Sequence, residues 1–289
     1  MARGVPLSRF APRAGGGSAF FVRHQAHTMA NPTATKYRSK PALRRWMQRA
    51  FVLWAAISTL WIANSYRTRG VADETMRNSS AISVTDGATM LEFVPTSPSS
   101  KAALIFICGS GVAAQAYAPL LRPIAEAGYP VFVVKLPYRF APFESHKQAA
   151  VDRARGVIAA HPEIAHWVVS GHSLGGALAC RVAQSDSKAI AALVLIGTTH
   201  PKQDDLSSLA IQVTKVYASN DGVAPLDRVL ANKGLLPKDT QWVEIKGGNH
   251  SQFGCYGHQL FDGGATISRE TQQAATRSAL LEALTKAAR

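Results

Sequence analysis

The 289 residues are 47% apolar and 17% charged, enough for one sizeable core and too few to require two large domains. The net charge of +14 belongs to an arm: residues 1–70 hold twelve Lys and Arg and no acid, whereas residues 71–289 hold 20 basic against 18 acidic side chains. A near-neutral body excludes a nucleic-acid-binding face, which needs basic residues clustered on the domain itself.

Residues 1–43 are rich in Gly, Ser, Pro and Arg without apolar periodicity. They read as a disordered basic arm, with an organelle transit peptide or a true start at Met29 as alternatives. Residues 44–70 read as a single-pass anchor. From Ala50 to Ala63 only Ser58 and Thr59 are polar, and continuing to Tyr66 gives about 17 uncharged residues, the low end for a bilayer span. Trp46, Trp54, Trp61 and Tyr66 suit interfacial belts. Arg44, Arg45 and Arg49 before the run outnumber Arg67 and Arg69 after it. The positive-inside rule then keeps the N-terminus cytoplasmic and puts the body outside, on the periplasmic or extracellular side. The expected lipid partner is a bilayer through residues 50–66; a signal segment, cleaved or not, and a helix lying in the interface are the alternatives.

The body, residues 71–289, opens with "AISVTD" and "MLEFVP", two alternating strands joined at Asp86-Gly87. Lys101–Gly109 is a continuous apolar run and reads as a central parallel strand. A helical pattern through Tyr117, Leu120, Leu121, Ile124 and Ala125 stops at Gly128. "PVFVVKLP", "HWVVSG", "IAALVLIG", "QVTKVYAS" and "TQWVEIKG" follow as strands. Helices are expected over about 145–160, 175–184, 225–234 and 270–287. This alternation predicts an α/β architecture, a mostly parallel central sheet flanked by helices, with ligands at the carboxyl ends of the strands. The odd set Cys108, Cys180 and Cys255 has no CxxC pair and reads as small buried hydrophobes.

The segment "HWVVSGHSLGGALACRVA" places Ser173 between Gly171 and Gly175, after a strand and before a helix. G-x-S-x-G in that context is a nucleophile elbow: small neighbours let strand and helix approach, and the sharp turn exposes the hydroxyl. A serine hydroxyl needs a base, and the base an orienting acid. The elbow implies the chain order serine, acid, histidine, and Asp221 and His250 stand just past the fifth and sixth parallel strands. Asp204 and Asp205 after the fourth strand are rivals for the acid. His200 reads as pocket wall or plain loop residue. The amide of Leu174 is the expected first oxyanion donor; the second comes from "ICGSGVAAQAY", with Ser110 preferred and Gly111 next. His172 packs beside the site, and Phe140, Phe143, Phe253 and Tyr256 are expected to wall a small pocket or to sit in the core.

These residues resemble the α/β-hydrolase superfamily, and are most similar to its small subfamily related to dienelactone hydrolases, in which a membrane-anchored bacterial group is common. The similar pieces are "GSGVAAQAYAPLLRPIAEAGYPVFVVKLP", "HPEIAHWVVSGHSLGGALA", "SNDGVAP" and "GGNHSQFGCYG" with "DGGATISRETQQ". The resemblance implies the α/β-hydrolase fold and Ser173, Asp221 and His250 as its triad. Cys108-Gly109-Ser110 stands where members often carry Pro-Gly-Gly. Serine replaces the cysteine nucleophile of dienelactone hydrolases proper, which argues against that substrate.

The expected activity is that of a serine hydrolase acting on carboxylic esters or related acyl substrates through an acyl-enzyme, with no metal and no organic cofactor. Transfer of the acyl group to another acceptor, and a binding module with a relic site, are the alternatives. No lid insertion separates the fourth and fifth parallel strands, so the expected partner is a small ester-like molecule.

Overall fold

A computed structural model describes residues 41–97, 100–185 and 189–289. In chain order these form α1 (Pro41–Ser65), β1 (Ile82–Asp86), β2 (Met90–Pro95), β3 (Ala102–Ile107), α2 (Ala118–Glu126), β4 (Val131–Val134) and α3 (Glu144–Ala160). Then come β5 (His166–His172), α4 (Leu174–Ser185), β6 (Ile190–Ile196), β7 (Gln212–Ala218), α5 (Leu226–Ala231), β8 (Gln241–Ile245) and α6 (Arg269–Ala287). One eight-stranded sheet runs β1-β2-β4-β3-β5-β6-β7-β8. β1 and β2 join antiparallel, as do β2 and β4, and every later pairing is parallel.

The central strands are apolar without alternation because helices cover both faces of the sheet. All six residues of β3 are fully buried. α3 and α4 pack together on one side, and α2 and α6 on the other. After β3 the chain adds β4 on one flank and then returns to add β5 on the other. The order reverses there, and such a reversal opens a crevice at the carboxyl ends of the two strands. The loop Cys108–Val112 and Ser173 both lie at that crevice.

The apolar segment after the arm is helical, and no helix among the described residues is long and apolar enough to cross a membrane. The uninterrupted part, Ala50 to Ala63, rises about 21 Å against a hydrocarbon core of about 30 Å. Arg49 and Asn64 close it at either end. The expectations for residues 1–40 lie outside the described residues. The end of α1 and the segment after it rest on the body: Ser65 is buried, Thr68 bridges Tyr256, and the Arg69 amide donates to the Cys255 carbonyl at 2.8 Å. Cys108, Cys180 and Cys255 are free and buried.

One buried charge stands out. Lys215 on β7 is fully enclosed, its ammonium donating to the His200 carbonyl. Burial drops its pKa from 10.5 to about 7, against a weaker opposing pull from Cys180. Between pH 7 and 10.5 the unfolded chain therefore holds a proton that the folded chain lacks, so this residue's destabilisation is full below pH 7 and fades as pH rises. Lys215→Met is expected to stabilise by about 2 kcal/mol at pH 7, after loss of the His200 bond, and by much less at pH 10. Thermal melts at the two pH values check this; equal shifts contradict it.

Candidate active site

β5 ends at His172 and α4 begins at Leu174, so Ser173 alone makes the turn between them. Its φ of +55° lies in the left-handed region that a non-glycine residue occupies only under constraint. The constraint is visible. The Ser173 amide donates to the Ile196 carbonyl at 3.0 Å, tying the turn to β6. A Cβ on Gly171 would lie 2.2 Å from the Gly175 backbone, and one on Gly175 would lie 2.0 Å from the Ile107 carbonyl oxygen. Only glycine permits strand and helix to come this close. The N-terminal end of α4 then directs its unpaired amides and dipole toward the serine.

Asp221 and His250 follow β7 and β8 at the same sheet edge. Both are almost fully buried, and His250 Nδ1 lies 2.8 Å from Asp221 Oδ2. An ionised carboxylate only accepts, so Nδ1 carries the proton and the neutral ring keeps a lone pair at Nε2. The other oxygen of Asp221 accepts the Val223 and Ala224 amides at 2.9 and 2.6 Å. His250 Nε2 is buried and has no hydrogen-bond partner among the described residues. The Ser173 hydroxyl likewise forms no hydrogen bond among them. The His250 ring lies against that of His172, centroids 4.5 Å apart, and His172 immediately precedes the serine. The structure thus pairs acid and base directly and brings the base to the serine's neighbour, without a serine–imidazole hydrogen bond. Catalytic hydrogen bonds are often loose until substrate binds.

Two supports of the base are not apparent from the sequence. The Asp262 carboxylate accepts the amides of His250 (3.0 Å), Ser251 (2.8 Å) and Gly263 (2.9 Å), the Ser251 hydroxyl (2.6 Å), and the Gly222 amide of the acid's own loop (3.3 Å). Gln272, fully buried on α6, exchanges hydrogen bonds with both backbone groups of Asn249, at 3.0 and 2.6 Å. The signal for Asp262 is an acid before two glycines in "FDGG"; Gln272 gives none, since a helical glutamine usually faces water.

In the loop after β3, Gly109 N–H donates to the Tyr117 hydroxyl, Gly111 N–H to the Arg139 carbonyl at 2.8 Å, and Val112 N–H to the Gly109 carbonyl. That commitment removes Gly111 as an oxyanion donor and leaves the Ser110 amide as the one among Gly109–Val112 without an acceptor among the described residues. The Ser110 hydroxyl donates to the Phe140 carbonyl at 3.1 Å, fixing the loop against its neighbour. Leu174 opens α4, so its amide has no partner inside the helix.

The expected pocket walls divide. Phe140 is 45% exposed, stands edge-on to Tyr66 with centroids 5.6 Å apart, and together with it flanks Gly111. Tyr66, just beyond α1, was not among the expected residues. Phe253, Tyr256 and His172 are wholly buried and present no surface to a substrate. The turn Ser251–Phe253 folds inward, placing the Phe253 ring against Gly197 and His172. Phe143 is exposed and packs on His146. Asp205 accepts the Ser207 amide and serves its own loop. Asp204 and His200 line a polar cleft of about 320 Å³ with Glu144, Lys147, Arg181 and Lys202. Burial, then the nearby Lys202 and Lys215 charges, push His200 down to about 4.

An imidazole with a free nitrogen, held by a carboxylate at the rim that also carries the turn serine and two unpaired amides, can take a proton and stabilise a developing oxyanion. Comparison with known proteins agrees in outline. No curated sequence matches significantly. A predicted CIB-like hydrolase from Thermoplasma acidophilum superimposes with a TM-score of 0.54 at 12% identity, covering 70% of this chain and 99% of its own. A ferulic acid esterase from Streptomyces cinnamoneus gives 0.55 at 18% identity, covering 66% and 68%. A serine hydrolase without a lid from Xanthomonas campestris gives 0.51 at 16%, covering 72% and 95%. At such identities these structures show the fold. Residues 103–274 match the family model described as "Alpha/beta hydrolase family", a stretch holding Ser173, Asp221, His250 and six of the eight strands, and the chain therefore belongs to the alpha/beta hydrolase family.

Proposed function

We propose that the protein is a serine hydrolase that cleaves carboxylic esters through an acyl-enzyme on Ser173. The observation that carries this reading is the buried Asp221–His250 pair, whose imidazole keeps a free Nε2 and packs on His172, the residue before Ser173. In the first half-reaction His250 Nε2 takes the hydroxyl proton as Ser173 Oγ attacks the ester carbonyl carbon. The Ser110 and Leu174 amides receive the oxyanion, each contributing about 3 kcal/mol to lowering the barrier. The C–O bond then breaks, and the leaving alcohol takes the proton from Nε2. In the second half, water gives His250 a proton and attacks the acyl carbon, and the acid departs as the serine is restored. Asp221 fixes the tautomer throughout and stabilises the transient imidazolium.

Short acyl groups suit this site. Residues 197–211 between β6 and β7 contain no helix or strand that could close over a long chain. Tyr66 and Phe140 stand at the side of the oxyanion loop. The relatives include a ferulic acid esterase and, at a TM-score of 0.53 and 14% identity, a monoacylglycerol lipase from Paleococcus ferrophilus. A p-nitrophenyl ester series tests the reading: turnover falling from acetate and butyrate to longer chains is expected, and no turnover at any length overturns it.

We also propose that α1 rests on a lipid surface without crossing it. Phe51, Leu53, Trp54, Ile57, Leu60 and Trp61 are all exposed, and Arg49, Arg67 and Arg69 flank them, a combination that favours an anionic interface. Co-sedimentation with phosphatidylglycerol vesicles is expected, and the double variant Phe51→Lys, Ile57→Lys is expected to reduce it at least tenfold. Equal recovery of both proteins contradicts it.

A further inference from the structure

Tyr117 ends the single turn Ala114–Tyr117 that leads into α2 and is fully buried. Its hydroxyl has one proton and meets two partners: the Gly109 amide at 3.0 Å and His172 Nδ1 at 2.8 Å. The amide can only donate, so the hydroxyl accepts there, and the arrangement that also uses the hydroxyl's own proton gives it to Nδ1. In that arrangement His172 carries its ring proton on Nε2, which is buried and has no hydrogen-bond partner among the described residues. Burial, and next the neighbouring His250, hold the His172 imidazole well below the ordinary histidine range. The other titratable groups nearby are Asp221 behind His250, and Tyr256 and Cys108 beside Tyr117. Phe253 and Gly197 close the remaining side.

The chain of contacts has a direction. Gly109 precedes Ser110, whose amide is the proposed oxyanion donor; His172 precedes the proposed nucleophile, and its ring centroid lies 4.5 Å from that of the base. A single hydroxyl connects all three parts. We propose that Tyr117 and His172 are a positioning pair: the Tyr117 hydroxyl locks His172 as the neutral Nε2–H tautomer against the His250 ring and ties the oxyanion loop to the nucleophile turn. This role rests on the reading of Ser173 and His250 as nucleophile and base. A second cation at 4.5 Å would oppose the imidazolium that forms on His250. Burial keeps His172 from becoming that cation; without the hydroxyl, its ring loses the donor that fixes which nitrogen carries the proton.

The experiment compares kcat and KM against pH for wild type, Tyr117→Phe, His172→Gln and the double variant, with p-nitrophenyl acetate. Wild type is expected to lose kcat/KM in acid with a one-proton slope. Tyr117→Phe and His172→Gln are each expected to lower kcat about tenfold with little change in KM, and the double variant to fall no further, because the two act as one unit. All three are expected to keep the one-proton slope, since burial holds His172 neutral with or without the hydroxyl. Additive losses in the double variant, or a loss that lies in KM rather than kcat, overturn the pair. Should Tyr117→Phe not fold, ¹⁵N-histidine spectra of Ser173→Ala decide the matter without catalysis. They are expected to show His172 as the Nε2–H tautomer that does not titrate between pH 5 and 8; a titrating His172 overturns the proposal. Activity retained by Ser173→Ala refutes the catalytic reading instead, and leaves the tautomer result standing.

Discussion

Replacing Ser173 by alanine is expected to lower ester turnover by about 10⁵-fold without loss of fold. The residue adds no packing that the fold depends on: it is partly buried, its hydroxyl is unbonded, and alanine adopts the turn's left-handed backbone at much the same cost. His250→Ala is expected to fall as far, and the double variant no further, because nucleophile and base act as one unit. Ser170→Ala is the control. Ser170 is fully buried three residues earlier, its hydroxyl donating to the Val194 carbonyl at 2.8 Å. Removing it costs about 1 kcal/mol of stability and is expected to leave kcat within a few-fold of wild type. Rates for the four proteins, with circular dichroism to show that each is folded, separate loss of chemistry from loss of structure.

Gly175→Ala is expected to have the largest effect on stability. The added methyl would stand 2.0 Å from the Ile107 oxygen and 2.7 Å from the Cys108 oxygen. Both are backbone atoms of the central strand and the loop that follows it, so neither can yield as a flexible side chain does. Either α4 retreats from β3 or the strand's end is displaced, and both moves disturb the densest part of the core. A loss of about 4 kcal/mol is expected, a large share of the 5–15 kcal/mol that holds a domain together. The comparison is Gly156→Ala on α3, where nothing lies within 4 Å of the new Cβ. There alanine relieves the helix of glycine's flexibility and is expected to stabilise by up to about 1 kcal/mol. Melting temperatures moving in opposite directions support this account of the turn; a tolerated Gly175→Ala contradicts it.

The parts of the fold legible in the sequence were those governed by local pattern. The strands of the parallel sheet are apolar runs because both sheet faces are covered, and the helices between them carry their own periodicity. Ser173 was legible because glycines on either side leave a turn little else to do. Asp221 and His250 were legible because each follows a strand, and strand ends share an edge. Missed features depend on partners distant in the chain. The Gly111 amide is taken by a carbonyl 28 residues on, at Arg139, and the Tyr117 hydroxyl finds His172 across 55 positions. Phe253 and Tyr256 read as pocket walls because aromatics after a histidine sit at the right edge. Which side of that loop faces the core is decided by packing against Gly197 and Tyr117. The apolar helix falls short of a span for a simpler reason: its uncharged run reaches that length only by counting Asn64, Ser65 and Tyr66.

The central claim is that Ser173 becomes covalently acylated with help from His250. Its most direct measurement is the site and rate of modification by a fluorophosphonate, read by peptide mass after digestion. The account predicts one adduct, on the peptide carrying Ser173, absent in Ser173→Ala, slowed at least a hundredfold in His250→Ala and unchanged in Ser170→Ala. An adduct on Ser110 or Ser170, or an ester-cleaving protein whose Ser173 stays unmodified, contradicts it.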